Sequence, residues 1–266
     1  MPRTLVMFHA HPDDEALATA GVMAQAVTRG DRVVLVVATK GENAGYGHEL
    51  LADGETMADR RAGETRRAAD ILGVQRVEFL GYVDSGMIGT PENDAPGSFW
   101  SADVEEAAAR LAAILRDERA DLLTVYDDNG VYGHPDHIQV HRVGVRAAEL
   151  AGTAQVFEST FNRDHFVALL RANAGRELPE GVDPADVPDP DTIEVGVSAS
   201  RITTTVDVRE FVDRKRAAMA AHASQIGENS WFLQMPLDVF TEAFGYEWFI
   251  RRGAPEGAQE TSLLVD

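Results

Sequence analysis

Residues 4–38 read TLVMFHAHPDDEALATAGVMAQAVTRGDRVVLVVA, and this stretch decides the fold class. Thr4 to His9 is a short apolar run that ends in a polar turn, Ala16 to Arg29 is rich in helix-favouring residues, and Arg32 to Ala38 is a nearly continuous β-branched run. A run of the last kind, without polar alternation, belongs to a strand covered on both faces. Strand, helix and strand make a βαβ unit, because parallel neighbours need a long crossover connection. The alternation continues outward with a helix near Ala58 to Leu72, a strand near Val77 to Gly81 and a helix near Val104 to Arg119. A strand at Leu122 to Tyr126, a helix over about Asp136 to Ala151 and a short strand at Gln155 to Glu158 follow. The pattern predicts an α/β fold: a doubly wound, mostly parallel, Rossmann-like sheet with helices on both faces.

In sheets of this kind ligands bind beyond the carboxyl ends of the strands, where the strand order reverses. The loops after the first and fourth strands therefore carry most of the functional information. Further along, Arg201 to Val208 alternates as a strand, Arg209 to Gln225 reads as helical, and Tyr246 to Ile250 is expected to close the sheet as an edge strand. Two segments break the rhythm. Glu92 to Ser101 (ENDAPGSFWS) is a Pro/Gly-containing loop, not expected in the core, and Gly175 to Glu194 is proline-rich with seven acidic residues against one arginine. The second is either a linker or a lid over the site. A single domain over residues 1–266 with a flexible tail at 253–266 is expected, and no internal repeat is present.

Composition sets the outer limits. With 44% hydrophobic and 26% charged residues the chain is of globular type, and it contains no apolar run long enough to span a bilayer. No basic, apolar leader opens it, so a cytoplasmic location is expected. The net charge of −20 repels phosphate backbones and anionic lipid, which argues against nucleic acid and membrane as partners. A homo-oligomer is compatible with the composition. There is no cysteine, so disulfides, thiolate zinc sites and thiol nucleophiles are excluded together, and any metal must sit on histidine and carboxylate.

Two motifs carry chemistry. Ala10 to Glu15 (AHPDDE) lies where the first strand gives way to a helix. His11 and Asp14 can converge on one ion across the proline turn, with Asp13 between them free for proton transfer; the competing reading is that Asp13 and Asp14 only cap the helix. Gly133 to His137 (GHPDH) repeats the arrangement after the fourth strand, in a chain with only eight histidines. A catalytic zinc needs three protein ligands and an open position, and one histidine of the second turn would complete the set. Asp136 would then fix the tautomer of an imidazole or cap the following helix. Tyr132 would offer a movable hydroxyl near the developing oxyanion, or pack under its loop. His141, one helical turn beyond His137, reads as a satisfied helix histidine rather than a fourth ligand.

These motifs, together with DSGM at Asp84 to Met87, Gly89 and Thr90, and NGVYGHPDH at Asn129 to His137, resemble the PIG-L/LmbE family of zinc-dependent N-deacetylases. Within that family the likeness is greatest to the mycothiol-pathway deacetylases and S-conjugate amidases. The resemblance implies that His11, Asp14 and His137 are the zinc ligands, with ferrous iron as an alternative metal. It further implies that Asp13 is the general base and that His134 stabilises the oxyanion or protonates the leaving amine. Arg61, Asp84 and, through its motif, Met87 correspond to positions that meet the substrate, an N-acylated aminosugar. For Arg61 a surface ion pair with Glu64 is the competing reading. Glu42, beside Lys40 and Gly41 after the second strand, either meets substrate or belongs to a solvated turn. Trp100, Trp231 and Phe232 are candidates for an aromatic wall, with core packing favoured for at least two of them. The implied reaction is removal of an N-acetyl group; the rivals are cleavage of a longer N-acyl amide such as a mycothiol S-conjugate, and a non-catalytic metal- or sugar-binding protein. A two-metal phosphoesterase fits poorly, because ligands for only one ion are present.

Overall fold

A computed structural model of the chain describes residues 2–175 and 189–264. Seven strands form one sheet: β1 (Thr4–His9), β2 (Arg32–Val37), β3 (Arg76–Phe79), β4 (Leu122–Tyr126), β5 (Gln155–Thr160), β6 (Thr204–Asp207) and β7 (Tyr246–Arg251). Their order is β3-β2-β1-β4-β5-β7-β6, with β1 to β5 mutually parallel and β7 antiparallel to both β5 and β6. The winding runs outward from β1 to β3 and resumes on the other side with β4 and β5. The order therefore reverses between β1 and β4.

The buried runs of β1 and β2 face two cores. Leu5, Met7, Val33, Leu35 and Val37 pack on one side with Met23, Ala68, Leu72 and Met219. Val6, Phe8, Val34 and Val36 pack on the other with Leu111, Leu115, Val140 and Val143. The helices behind these faces are α1 (Asp14–Ala18), α2 (Ala20–Thr28), α3 (Met57–Leu72) and α8 (Val212–Ala221) on the first side, and α4 (Val104–Glu118) and α6 (Pro135–Ala151) on the second. A short α5 (Gly130–Gly133), α7 (Arg163–Asn173), α9 (Trp231–Gln234) and α10 (Leu237–Phe244) complete the set. The doubly wound α/β architecture expected from the sequence is present.

Several expectations are corrected. The helix expected over Ala16 to Arg29 is two, α1 and α2, broken at Thr19. The cause lies far away in sequence: the Glu247 carboxylate on β7 accepts the backbone N–H groups of Gly21 and Val22, each at 2.8 Å, and holds the start of α2. Glu247 also accepts from Lys215 Nζ at 2.7 Å in a pair that is almost wholly buried. Glu247→Ala would leave that ammonium without a partner, and we expect a loss of about 3–5 kcal/mol, read as a lower urea midpoint at unchanged slope.

The strand at Tyr246 is not an edge. It lies between β5 and β6, and the sheet ends on β3 and β6. The loop over residues 92–101 contributes Phe99, fully buried between Phe8 and Tyr82, to the core. Residues 259–264 do not hang free: Glu260 exchanges backbone hydrogen bonds with Thr203 and Thr205, its carboxylate pairs with Arg251, and Leu263 is buried. Most of the linker or lid expected at 175–194 lies outside the described residues. Among the described residues no helix is long and apolar enough to cross a membrane.

Candidate active site

The reversal between β1 and β4 brings the two His-Pro-Asp turns together. His11 follows β1 and His137 opens α6 after β4; both are buried, with ring centroids 5.4 Å apart. Asp14 lies between them, one carboxylate oxygen 3.5 Å from His11 Nδ1 and the other 3.4 Å from His137 Nε2. Two ligands on one tetrahedral ion, with bonds of about 2.0–2.1 Å, stand roughly 3.3 Å apart, so Asp14 lies near co-ligand distance of each histidine, through a different oxygen to each. Both ring nitrogens of His137 are buried without a hydrogen-bond partner. An imidazole in that condition is costly unless a ligand or ion completes it.

Other donor sets crowd the same space. His11, His134 and His137 have nitrogens within 4.8 Å of one another, as do donor atoms of His11, Asp84 and Asp136. Hydrogen bonds occupy some of these donors. His134 Nδ1 accepts the Asp136 backbone N–H at 3.1 Å, capping α6 ahead of Pro135. The Asp136 carboxylate accepts from His11 Nε2 at 3.0 Å, from the Ser85 backbone N–H at 2.9 Å and from the Ser85 hydroxyl. Asp84 Oδ1 accepts the Gly86 N–H at 2.9 Å. Asp136 thus fixes the tautomer of His11, leaving Nδ1 with its lone pair toward Asp14. Of the two roles open to Asp136, its side chain fills the first, and His134 is the helix cap. Asp136→Asn should weaken metal affinity by about 10–100-fold, measured by competition with a chelating dye, because the acceptor for His11 is lost.

The electrostatics call for a positive charge. Burial would depress the His11 pKa, but Asp136, Asp14 and Asp84 outweigh it and hold it well above its ordinary value. Burial pushes Asp14 the other way, yet His137 and His11 keep it far below the usual carboxylate range. Asp84 is likewise held down by His11 against its own burial. His134 is lowered to about 4 by burial and by His11 and His137.

Asp13 differs from its neighbours. It precedes α1 with φ 90° and ψ −28°, and its side chain makes no capping bond. Of the three non-glycine residues with positive φ among the described residues, Asp13 and Val131 (φ 68°) both lie in the loops that form the site. Each such conformation costs of order 1–3 kcal/mol and needs a framework to hold it. For Asp13 that framework is Glu15, which accepts the Asp13 N–H at 3.0 Å and bonds His222 Nε2 on its other oxygen. For Val131 it is Asp127, which accepts the Val131 N–H at 2.9 Å and is held in turn by Thr160. Burial lifts the Asp13 carboxyl to about 6, with Arg61 opposing.

Arg61 is buried beside Asp13, and its Nε has no hydrogen-bond partner. Its guanidinium donates to the carbonyls of Gly41 at 2.9 Å and Pro12 at 2.7 Å and lies 3.5 Å from Asp13 Oδ2. It ties the loops after β1 and β2 together. The surface pair with Glu64 is absent, because Arg61 is buried and Glu64 accepts from Ser224. Gly41 (φ 65°) leaves room for this guanidinium: a Cβ there would come within 2.1 Å of Arg61 Nη1. Glu42 is used similarly, accepting the Asp84 N–H at 3.1 Å. Met87 is half-exposed at the rim, and Tyr132, also half-exposed, has its ring 4.9 Å from that of His137. His141 Nδ1 bonds the Tyr126 carbonyl at 2.9 Å and takes no part in the cluster.

Sequence reasoning missed His9, which bridges Tyr126 and Thr19 at 2.8 Å each, and Tyr126, whose ring stacks on His137 at 4.4 Å. Glu15, His222 and Asp127 were equally invisible, since their partners are distant in sequence. The Trp100 ring packs beneath Arg142, whereas Trp231 and Phe232 line an apolar cavity bordered by Asp14 and His137.

A buried His/Asp cluster at the switch point, with the Asp13 carboxylate beside it, is the kind of donor set that metal-dependent hydrolases use. Residues 6–148 match the sequence profile of the PIG-L family, described as GlcNAc-PI de-N-acetylase, and the chain belongs to that family. It is 39% identical over 264 residues to the 1D-myo-inositol 2-acetamido-2-deoxy-alpha-D-glucopyranoside deacetylase of Acidothermus cellulolyticus, covering 94% of this chain and 89% of that one. Among solved structures it superposes on the N,N'-diacetylchitobiose deacetylase of Pyrococcus horikoshii with a TM-score of 0.57 at 21% identity, over 94% of this chain and 83% of the other. It also superposes on GalB of Pseudomonas putida, a 4-carboxy-2-hydroxymuconate hydratase, with a TM-score of 0.59 at 19% identity, over 95% and 97% of the two chains. A fold shared by a deacetylase and a hydratase leaves the chemistry to be argued from the site.

Proposed function

We propose that this chain is a zinc-dependent hydrolase that removes the acetyl group from the N-acetylglucosamine unit of a glucosaminyl inositol. The observation that carries the reading is the Asp14 carboxylate, 3.5 Å from His11 Nδ1 and 3.4 Å from His137 Nε2, with Asp13 next to it in the same turn. The substrate is taken from the relatives, whose names specify a 2-acetamido-2-deoxy-glucopyranoside of myo-inositol. Zinc held by these residues would polarise the amide carbonyl and allow water to lose a proton near neutral pH; ferrous iron would suit the same donors.

The protein's own groups do the rest. Asp13 takes the proton of the attacking water and returns it to the departing amine. His134, whose Nδ1 is engaged as an acceptor, carries its proton on Nε2 and donates it as a hydrogen bond to the oxyanion. This assigns His134 to oxyanion stabilisation rather than to protonation of the amine. Tyr132 supplies a second donor from its half-exposed position above His137. Asp84 Oδ2, on the opposite side, receives a sugar hydroxyl, and Met87 packs against the ring at the rim.

Free-amine release from the N-acetylglucosaminyl inositol by zinc-loaded protein tests the reading. Absence of release, with N-acetylglucosaminides of other aglycones also uncut, would overturn it.

A further inference from the structure

A cavity of about 390 Å³ is bordered by Asp14 and His137 at one part of its wall and by Tyr246, Glu247 and Trp248 of β7 at another, and Asp84 and Met87 are not in its lining. Its walls include Phe161, Phe166, Trp231, Phe232, Phe244 and Trp248. Away from its mouth at Asp14, His137 and Tyr132, three of the polar side chains in its lining are committed to other groups: Lys215 to Glu247, Thr160 to Asp127 and Tyr126 to His9. A cyclitol placed there would lose hydrogen bonds to water on every hydroxyl and regain few, a penalty of kcal/mol order per group. The sugar and its inositol therefore belong on the Asp84 side. The two sides of the amide then have two different surroundings, polar for the amine and apolar for the acyl group.

An acetyl methyl is about the size of one water, whose share of volume is roughly 30 Å³, and leaves most of this cavity unfilled. We propose that the cavity is an acyl-chain pocket, and that the enzyme extends its hydrolysis to N-acylglucosaminides with straight apolar acyl chains such as hexanoyl and octanoyl. A cysteinyl amide is disfavoured, since its own amide and amine would lie unpaired among the aromatic rings. The inference rests on the hydrolase reading above and deepens it by naming the acyl group. Each methylene that leaves water for this pocket should raise kcat/KM by roughly threefold to fourfold.

The experiment is a series of zinc-loaded assays on inositol glucosaminides acylated with acetyl, butanoyl, hexanoyl and octanoyl groups, beside octyl N-acetylglucosaminide. We expect kcat/KM to climb from acetyl to at least hexanoyl, with no gain from the octyl aglycone. A fall from acetyl onward, with acetyl still cleaved, overturns the pocket assignment and leaves the deacetylase reading in place. A gain from the aglycone instead overturns it as well. Failure to cleave any member overturns the reading beneath, and the inference with it. Phe232→Asp should lower the octanoyl-to-acetyl ratio at least tenfold. An independent readout needs neither metal nor turnover: octanoate, but not acetate, should shift the tryptophan emission of metal-free protein, because Trp231 and Trp248 line the cavity and Trp100 does not. No difference between the two carboxylates overturns the assignment.

Discussion

Asp13→Ala is expected to lower amine release by about 10²–10⁴-fold while bound metal, measured by atomic absorption after gel filtration, stays at the wild-type level. The Asp13 carboxylate lies 3.5 Å from Arg61, whereas Asp14 stands between the two histidines. Burial raises it to about 6, high enough for it to hold a proton in transit and low enough to be ionised at neutral pH. The left-handed backbone at Asp13 is strained, and Glu15 with His222 holds it there. Asp13→Asn preserves shape and hydrogen bonding, so it should be nearly as inactive as the alanine variant. If either variant keeps more than about a tenth of the wild-type rate, proton transfer does not pass through this group.

The second large effect divides the two histidines of the GHPDH turn. His137→Ala should abolish stoichiometric metal binding, and activity with it, because both nitrogens of that ring are buried and unpaired and one faces Asp14 at 3.4 Å. His134→Ala should keep the metal and lose roughly 10²–10³ in kcat, the usual cost of removing one oxyanion donor. His134 also caps α6, so part of its deficit will appear as lower stability, about 1 kcal/mol. Urea titration alongside the kinetics separates the two contributions. Equal metal loss in both variants would mean that the three-histidine set is the true one and that Asp14 is not a ligand.

Much of this was legible from the chain. Strands β1, β2 and β4 are short apolar runs without alternation, and a parallel sheet is the arrangement that buries both of their faces. The His-Pro-Asp turns announced themselves by repetition at strand ends. What stayed hidden was tertiary in origin. EALATAGVM reads as unbroken helix, and only Glu247, 226 residues from Gly21, together with His9 against Thr19, explains the break. Tyr246 to Ile250 reads as an edge and yet lies inside the sheet, because a strand's own sequence does not say which neighbours it will find. The bonds by which Arg61 ties two loops are also illegible in the sequence, since their acceptors are backbone carbonyls that leave no trace in side-chain identity. The role of Asp13 could be proposed from its motif, but its left-handed backbone and its support by Glu15 and His222 could not.

The pairing of β1 with β4 has a consequence for how the protein assembles. His11 and Asp136 stand 125 residues apart in the chain, so the donor set exists only after the first strand has been joined by the fourth. An unfolded chain offers these groups as scattered, independent ligands separated by a loop whose closure is entropically costly. An ion that binds here selects the native topology and stabilises it by RT ln(1 + [ion]/Kd), so its affinity and the protein's melting temperature are two readings of one linked equilibrium. Chelation would lower the resistance of the whole sheet to unfolding along with its chemistry.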